Sequence, residues 1–276
     1  MVIDGKKVSE KVLEAVARGI SGAERPPKLC VFLMGSDPAS LAYVGRKEKA
    51  CAKVGMEYEC VALPETAEES ELLRLIAEKN ADSEVDGIIV QLPLPRHVDR
   101  KKVVEAVAAE KDVDGFTVSN AGKCFLGRDD GLLPCTPKGV MRLLAEYGFD
   151  PKGKTAAVVG YGDIVGKPLT IMLTNAGATV TACHSLTRDL ASHTRNADLV
   201  VVAAGVPGLL RADMVKPGAT VVDVGINRVD GKLVGDAEFS EIEKICDVTP
   251  VPGGVGPMTV ASLIENTFLA WRRKRG

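Results

Sequence analysis

The segment Lys154–Pro168, KTAAVVGYGDIVGKP, constrains the fold more than any other stretch of the chain. A short apolar run, Ala156–Val159, meets Gly160-Tyr161-Gly162, and Gly166 follows four residues after Gly162. An apolar strand that ends in glycines and resumes as a helix is the repeating step of a parallel α/β layer. Gly160 permits the tight turn, and Gly162 lets the backbone approach a pyrophosphate. The free N–H groups and positive dipole end of the next helix then face the anion. The usual dinucleotide spacing brings its third glycine one residue sooner than this chain does. A glycine-rich strand-to-helix turn without a ligand is the competing reading at this point.

The rest of the chain repeats the strand–helix rhythm. Val8, Val12, Leu13, Val16 and Ile20 recur at helical spacing, which predicts an amphipathic helix over 8–20. Strands are predicted at 29–34, 58–63 and 87–91. Helices are predicted from Ser40, as cap, to Lys53, then over 68–79 and 103–109. Between Asp112 and Pro137 the pattern breaks into glycine-rich loop, and a helix over 137–147 leads to the opening motif. Strands at 155–159, 178–183, 198–203 and 219–224 then alternate with helices at 165–176 and 187–195, and a last helix spans Val260–Trp271. The expected fold is two-domain α/β: residues 1–138 with 259–276, and a Rossmann-type unit over 139–258, the final helix packing back on the first domain.

Composition narrows the class. The chain of 276 residues is 46% hydrophobic but only 4% aromatic, so its core must be aliphatic. A net charge of −2 argues against broad nucleic-acid or membrane affinity. The basic end, Arg272-Arg273-Lys274-Arg275, reads as a solvated helix terminus whose cations complement the dipole. Seven cysteines, an odd number with no C-x-x-C pair, exclude a disulfide framework and fit a reducing cytoplasm. Cys30 and Cys183, in apolar runs, read as small core residues. The first residues carry charges throughout, unlike a signal peptide, and no run of about 18 apolar residues suggests a membrane span.

Several side chains could carry chemistry. Tyr43 and Lys47 are spaced i, i+4, at the border of a face whose buried side is marked by Val44, Cys51 and Val54. Ligands of a doubly wound sheet sit beyond the carboxyl ends of its strands. Gln91 ends one such strand, and Asp114, in KDVDG, follows the next helix. A ring, an amine, an amide and a carboxylate could converge there. The alternative for Lys47 is a solvated lysine in the charged run RKEK. Asp112 and Asp114 have no His or acidic partner nearby, so a turn explains them better than a metal.

The nucleotide's phosphate state also leaves a trace. NAD-type folds place an acidic residue at the end of the second strand to hold the ribose hydroxyls. Here the strand ends TACHSLTRD, with His184 and Ser185 in that place. A neutral or basic pocket suits a 2′-phosphate and favours NADP, with NAD as the alternative. Residues 249–259, TPVPGGVGPMT, hold three prolines and three glycines and form a rigid loop that could bring backbone close to a ligand or join two domains.

Taken together, GSDPAS (35–40), YVGRK (43–47), DGIIVQLPLP (86–95), KDVDGF (111–116), PCTPKG (134–139), GYGDIVGKP (160–168), DVGINR (223–228) and TPVPGGVGPMTV (249–260) resemble the bifunctional methylenetetrahydrofolate dehydrogenase/cyclohydrolase family over nearly the whole chain. The resemblance implies NADP+-dependent oxidation of 5,10-methylenetetrahydrofolate to the methenyl cation, then hydrolysis to 10-formyltetrahydrofolate, in one-carbon metabolism. It implies that Lys47 is the catalytic lysine, that Gln91 orients its amine, that Tyr43 stacks on the folate and that Asp114 binds the pterin edge. Pro252 and Gly253 would lie against the folate on the cofactor side. Gly160, Tyr161, Gly162, Ser185 and Ile226 match cofactor contacts. A cytoplasmic homodimer is also implied. One departure stands out: many relatives read G-R-S where this chain reads Gly160-Tyr161-Gly162, so the arginine that pairs with a 2′-phosphate is missing. Arg188 is a candidate substitute. Two other readings compete, a related two-domain dehydrogenase acting on an amino or hydroxy acid and a non-catalytic binding regulator. No second acid/base pair supports the first, and intact Tyr43, Lys47, Gln91 and Asp114 oppose the second.

Overall fold

The computed structural model describes residues 1–275. In chain order it comprises α1 (Gly5–Ile20), β1 (Lys28–Met34), α2 (Pro38–Val54), β2 (Glu57–Leu63), α3 (Glu69–Ala81), β3 (Gly87–Val90), α4 (Arg100–Glu105), α5 (Val118–Phe125), α6 (Cys135–Glu146), β4 (Thr155–Val159), α7 (Gly166–Asn175), β5 (Thr179–Cys183), α8 (Leu190–Thr194), β6 (Leu199–Val202), β7 (Thr220–Asp223), β8 (Asn227–Val229), β9 (Lys232–Val234), α9 (Phe239–Ile242), β10 (Asp247–Val248) and α10 (Val255–Arg273). The chain divides into two compact units: Glu10–Cys135 with Val260 onward, and Met1–Ser9 with Thr136–Thr259.

The first unit is built on a parallel sheet ordered β2-β1-β3. Every residue from Leu29 to Met34 is buried, as expected of a central parallel strand covered on both faces. Phe32 and Ile88 pack with Leu72 and Ile76 of α3 and Val103 of α4. The part of α10 in this unit fits closely: a Cβ on Gly19 would lie 2.4 Å from the Phe268 ring. The basic end is exposed, as expected of a solvated terminus, and it is also tied down. Arg273 donates to the carbonyls of Asp129, Asp130 and Gly131, and Lys274 to Val85 O (2.7 Å) and the buried Asp86 carboxylate (3.2 Å). Arg272 and Arg275 lie over the Phe268 and Trp271 rings.

The second unit carries a parallel sheet ordered β10-β7-β6-β4-β5. β4 and β6 are adjacent although the chain visits β5 between them, so the winding direction reverses there. The crevice beyond their carboxyl ends is where such sheets bind ligands. Ala157, Val159, Val200, Val202 and Val221 form its aliphatic core with Leu210, Ile242 and Val248. The first residues join this unit through the edge strand: Ile3 N donates to Val248 O (2.8 Å) and Val248 N to Met1 O (3.0 Å).

Several local expectations need correction. Asp37, not Ser40, caps α2: its carboxylate accepts the Ser40 N–H and hydroxyl, at 2.8 and 2.9 Å. The stretch 112–137, read as loop, contains α5, capped by Thr117, whose glycine and asparagine content hides it. α10 starts at Val255, inside the glycine–proline loop, because Pro257 falls in its first turn, where proline costs no hydrogen bond. The β8–β9 hairpin turns at Asp230-Gly231, both at positive φ (49° and 78°), a two-residue turn whose sequence signal passes unread.

Candidate functional site

In the first unit, α2 and the end of β3 supply the reactive groups. Lys47 sits on the inner side of α2 and is 8% exposed, which excludes the solvated-lysine reading. Gln91 follows β3, and its backbone N–H continues the sheet to Phe32 O (2.8 Å). Its side-chain NH2 donates to Leu92 O at 2.7 Å, so its oxygen is turned to accept Lys47 Nζ at 2.8 Å. Tyr43, half-buried one turn before Lys47, has the Arg46 guanidinium 5.0 Å from its ring centre.

Asp114 completes the cluster, and its loop is held from both sides. Asp112 accepts from Gly115 N, Thr117 N, Thr117 Oγ1 and Asn120 Nδ2, all within 2.9 Å, so it serves the turn as its spacing suggests. Gly115, at φ 75°, has no room for a Cβ, which would lie 2.7 Å from the Leu133–Pro134 peptide. On the other side Asn266 of α10 donates to Val113 O (2.9 Å) and Leu133 O (2.8 Å), and the Cys135 thiol donates to Val113 O (3.2 Å). Asn266 and Cys135 escape the sequence reading, because their partners are backbone carbonyls of residues far along the chain.

Burial sets the charge state of this cluster. It pushes the Lys47 ammonium below its usual range, with the Asp114 charge pulling the other way. It pushes the Asp114 carboxyl up to about 6, opposed by Lys47. Both shifts come first from desolvation, which disfavours any charged form. The result is an amine able to lose its proton nearer neutrality, beside a carboxyl able to hold one.

The second unit contains the glycine turn. Gly160 has φ 102°, and a Cβ there would lie 2.1 Å from Ala203 O. A Cβ on Gly166 would lie 1.8 Å from Gly160 O. Glycine is therefore obligatory at both positions, and α7 starts directly against the turn. Gly162 faces open space. A closely drawn backbone beneath an open face and a helix N-terminus is a cradle that fits a dinucleotide pyrophosphate. His184 and Ser185 follow β5, where His184 Nδ1 accepts the Leu186 N–H at 3.2 Å. Tyr161, Ser185, Arg188 and Ile226 are exposed around this crevice's loops. Pro252 and Gly253 belong to this unit as well. Gly253, at φ 113°, accepts the Lys6 N–H at 3.1 Å, and Val251–Pro252 is a cis peptide.

No helix among the described residues is long and apolar enough to cross a membrane. Residues 3–114 match the family described as tetrahydrofolate dehydrogenase/cyclohydrolase, catalytic domain, and residues 134–275 its NAD(P)-binding domain. The bifunctional protein FolD of Francisella philomiragia is 52% identical over 272 residues, 97% of this chain and 96% of that one. The crystal structure of the bifunctional FolD dehydrogenase/cyclohydrolase of Campylobacter jejuni has a TM-score of 0.97 at 48% identity and covers 99% of each chain. That of the Trypanosoma brucei enzyme, complexed with NADP cofactor and an inhibitor, has a TM-score of 0.95 at 37% identity, covering 100% of this chain and 98% of that one.

Proposed function

The chain belongs to the tetrahydrofolate dehydrogenase/cyclohydrolase family, and from that premise we propose how its own residues perform the two reactions. It oxidises 5,10-methylenetetrahydrofolate to 5,10-methenyltetrahydrofolate with NADP+ and hydrolyses the product to 10-formyltetrahydrofolate. Folate chemistry belongs to Tyr43, Lys47, Gln91 and Asp114 of the first unit. Dinucleotide binding belongs to Gly160, Tyr161, Gly162, Ser185 and Ile226 of the second. Pro252 and Gly253 contribute backbone to the folate. The working assembly is a cytoplasmic homodimer.

The observation that carries this assignment is a buried lysine amine whose hydrogen-bond partner is a neutral amide oxygen, with a carboxyl nearby. NADP+, held at the Gly160–Gly162 turn, would supply the hydride acceptor. Tyr43 covers the face of the pterin, and Asp114 takes hydrogen bonds from its 2-amino-pyrimidine edge. In hydrolysis the neutral Lys47 amine takes a proton from the water that attacks the methenyl carbon. It then returns that proton to N5 as the carbon–N5 bond breaks, while the remaining hydroxyl proton leaves to solvent and the C=O bond forms, which puts the formyl group on N10. Gln91, pinned by Leu92 O, keeps the amine aimed through both transfers. The cationic substrate lowers the Lys47 proton affinity further, in the same direction as burial.

The lack of a carboxylate at the end of β5, with His184, Ser185 and Arg188 in that region, supports NADP. Initial rates with NADP+ and NAD+ on methylenetetrahydrofolate, following methenyl formation and decay together, test substrate, cofactor and second activity at once. A clear preference for NAD+ would overturn the reading of the β5 loop. Accumulation of methenyl product at its uncatalysed lifetime would remove the hydrolytic role of Lys47.

A further inference from the structure

Two carboxylates lie buried side by side beneath the dinucleotide crevice, and neither has a role so far. Asp236, at the end of the β8–β9 hairpin segment, is fully buried. Its Oδ2 accepts the N–H groups of Ala204 (2.7 Å) and Gly205 (2.8 Å), and its Oδ1 accepts Asn227 Nδ2 (2.8 Å). Its own N–H donates to Asp223 Oδ1 at 3.0 Å. Asp223, also buried, ends β7 and accepts the N–H of Gly225 (3.1 Å) and Ala237 (2.8 Å) as well. The packing leaves no slack. A Cβ on Gly225 would meet the Asp236 carboxylate at 2.2 Å, and one on Gly235 would meet Asp223 Oδ2 at 1.8 Å.

These bonds end on the loops that face the crevice. Ala204 and Gly205 are exposed residues just after β6, next to Ala203, whose carbonyl lies against the Gly160 turn and whose N–H donates to Val159 O at 2.7 Å. Asn227 adjoins Ile226, exposed after β7. One carboxylate thus ties the floor of the phosphate turn to the Ile226 loop. Three uncharged amide donors hold it. What a carboxylate offers here is acceptor capacity in three directions at once, with no donor to oppose the three N–H groups.

We propose that Asp236, with Asn227, is a positioning residue for the dinucleotide: it fixes the Ala204–Gly205 backbone and the Ile226 loop in the arrangement that receives NADP+. The proposal rests on the dinucleotide reading of the Gly160 crevice. It predicts an effect confined to nucleotide binding, because hydrolysis of methenyltetrahydrofolate transfers no hydride.

The test is calorimetric titration of the full-length chain with NADP+, alongside cyclohydrolase kinetics and the thermal midpoint. Asp236→Ala removes both arms of the clasp and is expected to raise the NADP+ Kd at least about tenfold. Asp236→Asn keeps an acceptor for Ala204 and Gly205, with Asn227 turning its amide over to accept from the new NH2, and restores Kd to within about threefold. Asn227→Ala cuts only the partly exposed arm and weakens binding by an intermediate factor. It serves as the test if Asp236→Ala does not fold. In every folded variant cyclohydrolase kcat and KM stay at wild-type values. Unchanged Kd in Asp236→Ala, or in Asn227→Ala where that variant stands in, overturns the proposal. So does a loss of hydrolysis that parallels the loss of binding, which would mark the pair as part of the scaffold alone. Failure of the unmodified chain to bind NADP+ overturns the dinucleotide reading itself.

Discussion

Replacing Lys47 separates what the site does from what the fold needs. The side chain is buried in α2 with its amine 2.8 Å from Gln91 Oε1. General acid–base assistance by one positioned group is worth about 10²–10⁴-fold, which is about 2.7–5.4 kcal/mol of barrier. Gln91 is itself fixed by Leu92 O and offers no proton acceptor basic enough to substitute. Lys47→Met should therefore lower cyclohydrolase kcat by about 10²–10⁴-fold, read as the decay of the methenyl chromophore. Lys47→Arg should fall in the same range. A guanidinium keeps the positive charge but stays protonated at every working pH, so it cannot take a proton from water.

The stability change has the opposite sign. Desolvation lowers the Lys47 pKa in the folded chain. The folded state then holds the proton less tightly than the unfolded state at every pH below the ordinary lysine value, and folding is opposed there. Methionine fills a similar volume without that cost, so the thermal midpoint of Lys47→Met should equal or exceed that of the unmodified chain. Two results would refute the reasoning: Lys47→Arg hydrolysing within threefold of the parent, which would show that charge alone suffices, or a Lys47→Met midpoint several degrees lower, which would make the lysine a structural element.

Two further predictions concern the scaffold. Asn266→Leu strands the half-buried Leu133 carbonyl and leaves Val113 O to the Cys135 thiol alone, at a cost of about 1–3 kcal/mol; the thermal midpoint should drop by about 2–12 °C, and a shift within the error of calorimetry would deny Asn266 its hold on the Asp114 loop. Asp198 is held down to about 2, first by its hydrogen bond from Lys216 and then by Thr155 N–H. A carboxyl whose folded pKa lies below its unfolded value contributes fully above about pH 4 and loses that contribution as pH falls towards 2. Denaturation curves of the parent and Asp198→Asn should differ at pH 6 and converge near pH 2; a difference that persists at pH 2 would exclude this carboxylate as the cause.

The sequence reading succeeds where the signal is local. The strand before Gly160 is aliphatic, the turn is glycine, and the helix follows at once, so β4 and α7 can be read from one window. Lys47 and Tyr43 are visible as an i, i+4 pair, and Gln91 as the residue after a buried strand. The order β2-β1-β3 then brings the end of β3 next to the end of β1, from which α2 departs. Asn266 is beyond this kind of reading: its partners lie more than a hundred residues away and are carbonyls, which any residue supplies.

Glycine is the residue that misleads most. Gly160 and Gly253 are glycine for the reason sequence reading assumes, a positive φ. Gly225 and Gly235 are not among the glycines with positive φ, so turn chemistry does not explain them. They are glycine because a carboxylate of the Asp223–Asp236 pair occupies the space a Cβ would need. The same letter thus encodes a backbone angle at one site and a neighbour's side chain at the other. The second kind points to buried chemistry, and only the neighbour's position tells the two apart. DVGIN thus enters the sequence reading only through a family resemblance and VGDAE not at all, and their role emerges when Asp223 and Asp236 are seen beneath them.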